Sequence, residues 1–371
     1  MIKITHIITG LGNGGAETML YKLLENIDRN KYEIKVISMM DKGVTGLKIE
    51  NLGIKIYTMN MKRGVPSFKA IKKAIKLCNN VDIIQSWMYH ADLFSFIVSK
   101  ICKPKKLIWG IRRSNLEWNK NKKSTILISR INSILSKYVD VIVSCSIIAT
   151  EIHKKIGFDS KKLITIPNGF AIDKFCYIES AREKLCKEFN IDDKKNIFTL
   201  VGRWEILKDH ENCLKALRIL SEKRDDFVLI LCGTNITEEN EKLLNMIEEN
   251  KLKNKVLLLG RRDDIPEIMS ATDIYISSSS GEGFPNVIGE AMACETICVV
   301  TDVGDSAYIV GNTGVVVPRK SPLKLSMGIE EILNYSKEQK KNKRKLARQR
   351  IVDNFEISTI VKKYNKLYEG D

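Results

Sequence analysis

DIYISSSSGEGFPNVIGEAMACETICVVT, residues 273–301, contains one repeat of the pattern that organises the whole chain. Asp273–Ser277 alternates apolar and small residues around β-branched and aromatic side chains and reads as a strand. Glu282-Gly283-Phe284-Pro285-Asn286 is a glycine and proline turn, and the segment from there through Glu290 has the character of a helix. Ile297–Thr301 is a second short apolar run rich in β-branched residues. Strand, helix and strand in this order, with apolar strands, predict parallel pairing in a sheet covered on both faces.

The same alternation extends in both directions. Ile197–Gly202, Phe227–Cys232 and Val256–Gly260 are strand candidates upstream, with a helix over Asp209–Lys223 among them. In the first half Lys3–Thr9, Tyr32–Met39, Ile54–Met59, Val81–Ser86, Lys106–Ile111 and Val139–Ser144 read as strands, and Ala16–Ile27 as a helix. Two such runs predict an α/β protein of two Rossmann-like doubly wound domains facing a central cleft. The turn Pro167-Asn168-Gly169, followed by a stretch without a clear period to about Lys195, marks the junction. The expected domains are residues 1–172 and 173–355. A helix over 356–371 is expected to cross back to the first domain.

Composition narrows the class. The chain has 371 residues, 44% hydrophobic, long enough for two cores. No apolar run approaches the roughly 20 residues of a membrane span, and the amino terminus lacks a signal-peptide pattern. The nine cysteines form no C-x-x-C pair, and Cys294 and Cys298 have no nearby histidine or second pair, so zinc is not expected and reduced thiols in a cytoplasm are. The net charge of +16 lies almost wholly in residues 1–172, which hold 29 Lys+Arg against 12 Asp+Glu. An anionic partner for that half is the expectation.

The turn at Glu282 lies where such sheets bind ligands, at the carboxyl end of a strand. The backbone N–H groups of Gly283, Phe284 and Asn286 and the start of the helix would receive a diphosphate. Glu290 would reach a ribose diol, and Glu282 would accept hydrogen bonds from sugar hydroxyls. Arg203, in Val201-Gly202-Arg203-Trp204, and Lys208 would supply fixed positive charge beside that diphosphate and stand in for a metal. No D-x-D motif occurs in the chain, so neither a metal nor another cofactor is expected.

Gly10-Leu11-Gly12-Asn13-Gly14-Gly15 satisfies G-x-G-x-x-G after the first strand. Glu17 in the first turn of the following helix would compete with a pyrophosphate for the helix dipole, which speaks against a dinucleotide site. Arg112 and Arg113 follow a strand and read either as holding an acceptor phosphate or as loop charges. Of the four histidines, His6 is expected in the core, His153 on a helix surface, and His90 after a strand at the start of a helix. Lys69, Lys72, Lys73 and Lys76 form one helical stripe, with Phe68, Ile71 and Ile75 beside it and Lys62-Arg63 upstream; Lys120, Lys122 and Lys123 precede another helix. This charge suits an anionic membrane surface.

These motifs together resemble a family-4 glycosyltransferase of the GT-B fold over essentially the whole chain. The matching pieces are GLGNGGAE (10–17), QSWMYHAD (85–92), IPNG (166–169), VGRWEILKDH (201–210), EGFPNVIGEAMA (282–293) and TDVGDSAYIV (301–310). The resemblance implies a retaining transfer from a nucleotide-sugar, UDP-linked, on the second domain. It places the acceptor, lipid-linked or an oligosaccharide of bacterial surface polysaccharide synthesis, mostly on the first. It implies donor-sugar contact and transition-state support from His90, diphosphate contact from Gly14 and Gly15, and base contacts from Gly260-Arg261-Arg262. Gln85 and Trp87 stand where many members carry further histidines. A nucleotide-sugar 2-epimerase, an NAD-dependent oxidoreductase and a basic nucleic-acid-binding module are the competing readings. The enzyme is expected in the cytoplasm or peripherally on the inner face of the plasma membrane.

Overall fold

The computed structural model describes residues 1–61, 67–114 and 123–370. Lys62, Arg63, Lys120 and Lys122 lie outside the described residues. The chain forms two compact units, Met1–Gly169 with Ile357–Asp371, and Phe170–Glu356.

The first unit runs β1 (Ile2–Ile8), α1 (Gly15–Asn26), β2 (Tyr32–Ser38), α2 (Gly43–Asn51), β3 (Lys55–Thr58), α3 (Phe68–Cys78), β4 (Ile83–Trp87), α4 (Tyr89–Cys102), β5 (Lys106–Ile111), α5 (Lys123–Leu135), β6 (Val141–Ser144), α6 (Ile147–Lys155) and β7 (Leu163–Thr165). Its seven strands pair in parallel in the order β3-β2-β1-β4-β5-β6-β7. The second unit runs α7 (Ala181–Phe189), β8 (Asn196–Val201), α8 (His210–Ser221), β9 (Phe227–Cys232), α9 (Glu241–Glu249), β10 (Val256–Leu258), α10 (Ile265–Ala271), β11 (Ile274–Ser277), α11 (Asn286–Ala293), β12 (Ile297–Thr301), α12 (Ser306–Val310), β13 (Val315–Val317), α13 (Pro322–Leu333) and α14 (Lys337–Phe355). Its six strands are also parallel, in the order β10-β9-β8-β11-β12-β13. The last helix, α15 (Ile357–Glu369), belongs to the first unit.

In both sheets the order reverses beside the unit's first strand, between β1 and β4 and between β8 and β11. A doubly wound sheet opens a crevice at such a point, because the connections on either side leave toward opposite faces. Burial explains the pairing. β9 and β12 are buried along their full length, and both faces of each sheet carry apolar clusters.

Two expectations are corrected, and two short strands were not anticipated. The stretch after Gly169 is not irregular throughout but contains α7, which packs on α10. β7 and β13, three residues each, are too short to show a period. His153 is fully buried rather than on a helix surface. Its Nδ1–H donates to the Ala149 carbonyl at 2.6 Å, which leaves Nε2 to accept from the Tyr89 hydroxyl at 2.7 Å.

α15 is held by polar groups whose pairing no local pattern marks. Arg112 lies over the Trp87 ring at 4.1 Å and donates to Asn168 Oδ1 at 3.1 Å and to the Tyr364 hydroxyl at 2.8 Å. The Tyr368 hydroxyl donates to Gln85 Oε1. Gln85 and Trp87 are both fully buried, and the Trp87 indole N–H donates to His6 Nδ1 at 3.2 Å. His6 is in the core, as expected, but only half satisfied: Nε2 has no partner among the described residues.

Candidate active site

The densest arrangement of the expected site residues lies at the switch point of the second sheet. β8 ends at Val201, and the chain turns through Gly202 and Arg203 into a 3-10 turn over Ile206–Lys208. Asp209, in the left-handed region at φ 50°, then caps α8 by accepting from the Asn212 N–H. β11 ends at Ser277 and leads through Ser278–Ser280 to Glu282. The two loops are joined by main chain and side chain. Ser280 N–H donates to Leu207 O at 2.8 Å, and the Ser278 hydroxyl to Asp209 O at 2.9 Å.

This splicing brings Lys208 to Glu282. Lys208 Nζ donates to Glu282 Oε1 at 2.7 Å, and the Ser279 hydroxyl donates to the same oxygen at 2.7 Å. Both charged side chains are largely buried. The lysine stem crosses Gly202, where an added Cβ would stand 3.2 Å from Lys208 Cδ. Beneath the pair Tyr275 is buried, its hydroxyl driven well above the usual range first by desolvation and further by nearby Cys298, Glu282 and Glu290. A small depression opens here, lined by Val201, Lys208, Tyr275, Ser279, Glu282 and Pro285 among others.

The Glu282 turn is fixed from three sides. Asp305 N–H donates to Gly283 O at 2.9 Å. Phe284 is buried, stacked on Phe170 with ring centroids 6.2 Å apart. α11 begins at Asn286 with Pro285 as its cap residue, so the positive end of the helix dipole lies at this turn. Glu290 stands in the second turn of the same helix.

Not all expected residues converge. Arg203 is largely exposed and donates to Glu205. Arg262 is bound by Asp264, at 2.8 and 2.6 Å, and by Glu188 at 3.0 Å. Arg112 serves α15, so its reading as a loop charge is corrected. In the first unit Gly14 caps α1 and Gly15 begins it. The Glu17 carboxylate folds back over this end, 2.3 Å from where a Cβ on Gly14 would stand.

His90 sits in the first turn of α4, at the switch point of the first sheet, and is half-buried. Burial, and next the Arg113 cation, lower its pKa and favour the neutral imidazole. The cap residue Met88 has φ 77° and ψ 151°, a region that only glycine occupies without strain. Asp92 ties this turn to the sheet by accepting from the Ser86 hydroxyl at 2.7 Å and from Gly110 N–H at 3.2 Å.

Two residues escaped the sequence reading. His210 is buried against Trp204, ring centroids 5.1 Å apart, with neither ring nitrogen partnered among the described residues. Burial, and next Lys208, push its pKa down to about 4. Arg319 donates to Ser280 O at 3.2 Å and adds a cation to the loop after β11. Position next to Lys208-Asp209 was the one signal for His210; nothing local marked Arg319.

Two parallel doubly wound sheets, with charged and glycine-rich turns at the switch point of each, define a glycosyltransferase of the GT-B fold. Residues 13–174 match glycosyltransferase family 4, and residues 181–350 match glycosyl transferases group 1. The chain is a family-4 GT-B glycosyltransferase. It is 25% identical to the N,N'-diacetylbacillosaminyl-diphospho-undecaprenol alpha-1,3-N-acetylgalactosaminyltransferase of Campylobacter jejuni, with 97% of each chain covered. It is 23% identical to the UDP-Gal:alpha-D-GlcNAc-diphosphoundecaprenol alpha-1,3-galactosyltransferase of Escherichia coli, over 84% of this chain and 82% of that one. Among solved structures, Anabaena HepE in complex with UDP superposes with a TM-score of 0.88 at 20% identity, covering both chains fully. Among the described residues no helix is long and apolar enough to cross a membrane.

Proposed function

We propose that the enzyme transfers a sugar from a UDP-linked donor to a lipid-diphosphate-linked acceptor, with retention of anomeric configuration and without a metal. The observation that carries this reading is the Lys208–Glu282 pair beside the amino terminus of α11. A diphosphate leaving group gains negative charge as the glycosidic bond breaks. A lysine and a helix amino terminus stabilise that charge without reorganisation. Arg203 and Lys208 take the diphosphate, Gly283, Phe284 and Asn286 offer backbone donors, and Glu290 takes the ribose. Glu282, released from Lys208 by the phosphate, accepts from the donor sugar.

His90 donates to the sugar as a neutral imidazole, and Gly14 and Gly15 contribute to the diphosphate once Glu17 moves aside. Arg113 binds the acceptor phosphate. Arg262 reaches the base only by leaving Asp264 and Glu188. The names of the two relatives support an undecaprenol-diphosphate acceptor and an alpha product, and the HepE complex supports UDP. An alpha product from an alpha-linked sugar nucleotide is retention. The lysine row on α3 suits the anionic inner face of the plasma membrane, where such an acceptor resides.

The test is a panel of UDP- and GDP-sugars, with and without EDTA, followed for nucleotide release with an undecaprenyl-diphosphate-sugar acceptor. EDTA-resistant release of UDP from one sugar, lost in Glu290→Ala and Arg203→Ala, is expected. Release of GDP instead, or release abolished by EDTA, overturns the donor or the metal-free part.

A further inference from the structure

We infer that α14 is a splint for the donor turn, and that its Arg348 and Arg350 are positioning residues for the transfer. They hold the carboxyl ends of α11 and α12 and so fix the main chain of residues 282–286. The inference rests on the proposed function for what binds at that turn.

The last carbonyls of a helix have no partner within it and carry the negative end of its dipole. At the end of α11 Arg348 meets both needs. Its Nη1 donates to Ala293 O at 2.5 Å and to Phe175 O at 3.1 Å, and its Nη2 to Ile172 O at 3.4 Å. Arg350 serves the end of α12 in the same way. Its Nε donates to Ile309 O at 2.8 Å and its Nη2 to Tyr308 O at 2.5 Å. Lys343 adds a bond to Asn312 O, just beyond α12, at 2.6 Å. Among the described residues neither arginine takes a carboxylate, whereas Arg262 and Arg344 do. A planar fork bound only by carbonyls fixes the segments that carry them.

Both helices start at the donor turn. α11 begins at Asn286. α12 follows residues 303–305, which lie flush against the turn. Asp305 N–H donates to Gly283 O at 2.9 Å. Gly304, at φ 53°, approaches so closely that an added Cβ would stand 2.4 Å from Gly283 O and 2.5 Å from Glu282 O. A slip of either helix along its axis therefore moves the backbone donors of residues 283–286. α14 packs along α11 and meets both of its ends. Phe355 packs on Phe284, before α11, with ring centroids 5.9 Å apart, and edge-on against Tyr308 of α12 at 5.6 Å. Arg348 and Phe355 stand about two helical turns apart on α14, which matches the eight residues of α11. Ring packing has little direction along a helix axis. Directional bonds to the last carbonyls supply the axial stop.

The experiment is titration calorimetry of the full chain with UDP and with uridine, well below the melting temperature, together with turnover of the UDP-sugar. Arg348→Lys keeps the charge and loses the fork. It is expected to weaken UDP binding at least about tenfold, the scale of one charge-assisted hydrogen bond, and to leave uridine binding unchanged. Turnover should fall by about 10²-fold, the cost of misplacing a group by about 1 Å. Arg344→Gln removes a bond from the same helix to Asp273, which precedes β11. It is expected to lower the melting temperature and to leave turnover and the preference for UDP over uridine intact. If Arg348→Lys does not fold, Arg350→Lys carries the same test. A lysine variant that keeps the natural preference for UDP, or loses UDP and uridine alike, overturns the inference and leaves the donor reading standing. Equal loss of that preference in Arg344→Gln also overturns it, by making the effect one of general stability. A natural protein that binds UDP no better than uridine overturns the donor reading itself, and this inference with it.

Discussion

Lys208 Nζ and Glu282 Oε1 stand 2.7 Å apart at the carboxyl edge of the second sheet, although 74 residues separate them in the chain. The pair is largely buried, so each charge depends on the other or on a ligand that replaces it. Under the proposed function donor binding would supply that replacement, with phosphate taking the lysine and sugar hydroxyls taking the carboxylate.

Glu282→Gln keeps the shape and removes the charge. Turnover of the UDP-sugar, read as nucleotide release, is expected to fall by about 10²-fold or more, the scale of losing one preorganised electrostatic contact. Lys208→Ala is expected to cost as much. Near-normal turnover in both variants would assign the pair a purely structural role.

Acid sensitivity follows from the buried histidines. Burial lowers the His153 pKa to about 4, against 6.5 in an open chain. Below pH 6.5 the unfolded state takes up a proton that the folded state refuses. Stability is therefore lost as pH falls from 6.5 toward 4, by about 2 kcal/mol at pH 5 from this group alone. His6, lowered to about 3, and His210, lowered to about 4, act in the same direction. In urea titrations at pH 7 and pH 5, His153→Gln should shrink the difference between the two by about that amount.

Asp92 works with the opposite sign. Burial raises its pKa to about 7 against the opposing pull of Ser86, Gly110 and Arg112, and Oδ2 has no partner among the described residues. Its folded pKa exceeds the unfolded value of 3.8, so its stability is full below pH 3.8 and is lost as pH rises through 7. Asn at this site keeps the acceptor oxygen for Ser86 and Gly110 and carries no charge. Asp92→Asn is expected to raise stability at pH 8 by on the order of 2 kcal/mol, measured by denaturant titration. No gain at pH 8 would show that the carboxylate is satisfied there.

Gly289 lies in α11 between the two glutamates of the motif, and the Phe170 ring covers it. A Cβ there would stand 2.1 Å from Phe170 Cζ. Gly289→Ala must displace a ring that also packs on Phe284 and Phe355, and is expected to cost about 1–3 kcal/mol by overpacking. Thermal unfolding checks this, and an unchanged midpoint would mean that the ring swings away freely.

The strand-helix alternation, the two units and the turn at Glu282 were legible because each rests on local pattern. A buried parallel strand must be apolar along its length, and a turn must carry residues such as Gly283 and Pro285. The positions of Lys208 and Glu282 at strand ends were legible for a related reason, since turns after parallel strands carry their own local signal, but their pairing was not. His153 was misplaced because a lone histidine on a short helix carries no sign of which side faces inward. α7 was missed because Ala181–Phe189 is rich in charge and its inner face is narrow.

By itself, then, the sequence determined most of the strands and the longer helices, that they alternate into two parallel sheets, and which turns end those strands. Periodicity and turn chemistry act between neighbours in the chain, and so they can be read from it. The tertiary structure alone decided how each charge is used. Arg112 stacks on Trp87 and holds Tyr364 of the last helix, Arg262 closes on Asp264 and Glu188, and Lys208 meets Glu282. A guanidinium or ammonium group takes an acceptor that is near in space, whether carboxylate, carbonyl or hydroxyl. For Arg112 and Lys208 that partner lies 252 and 74 residues away.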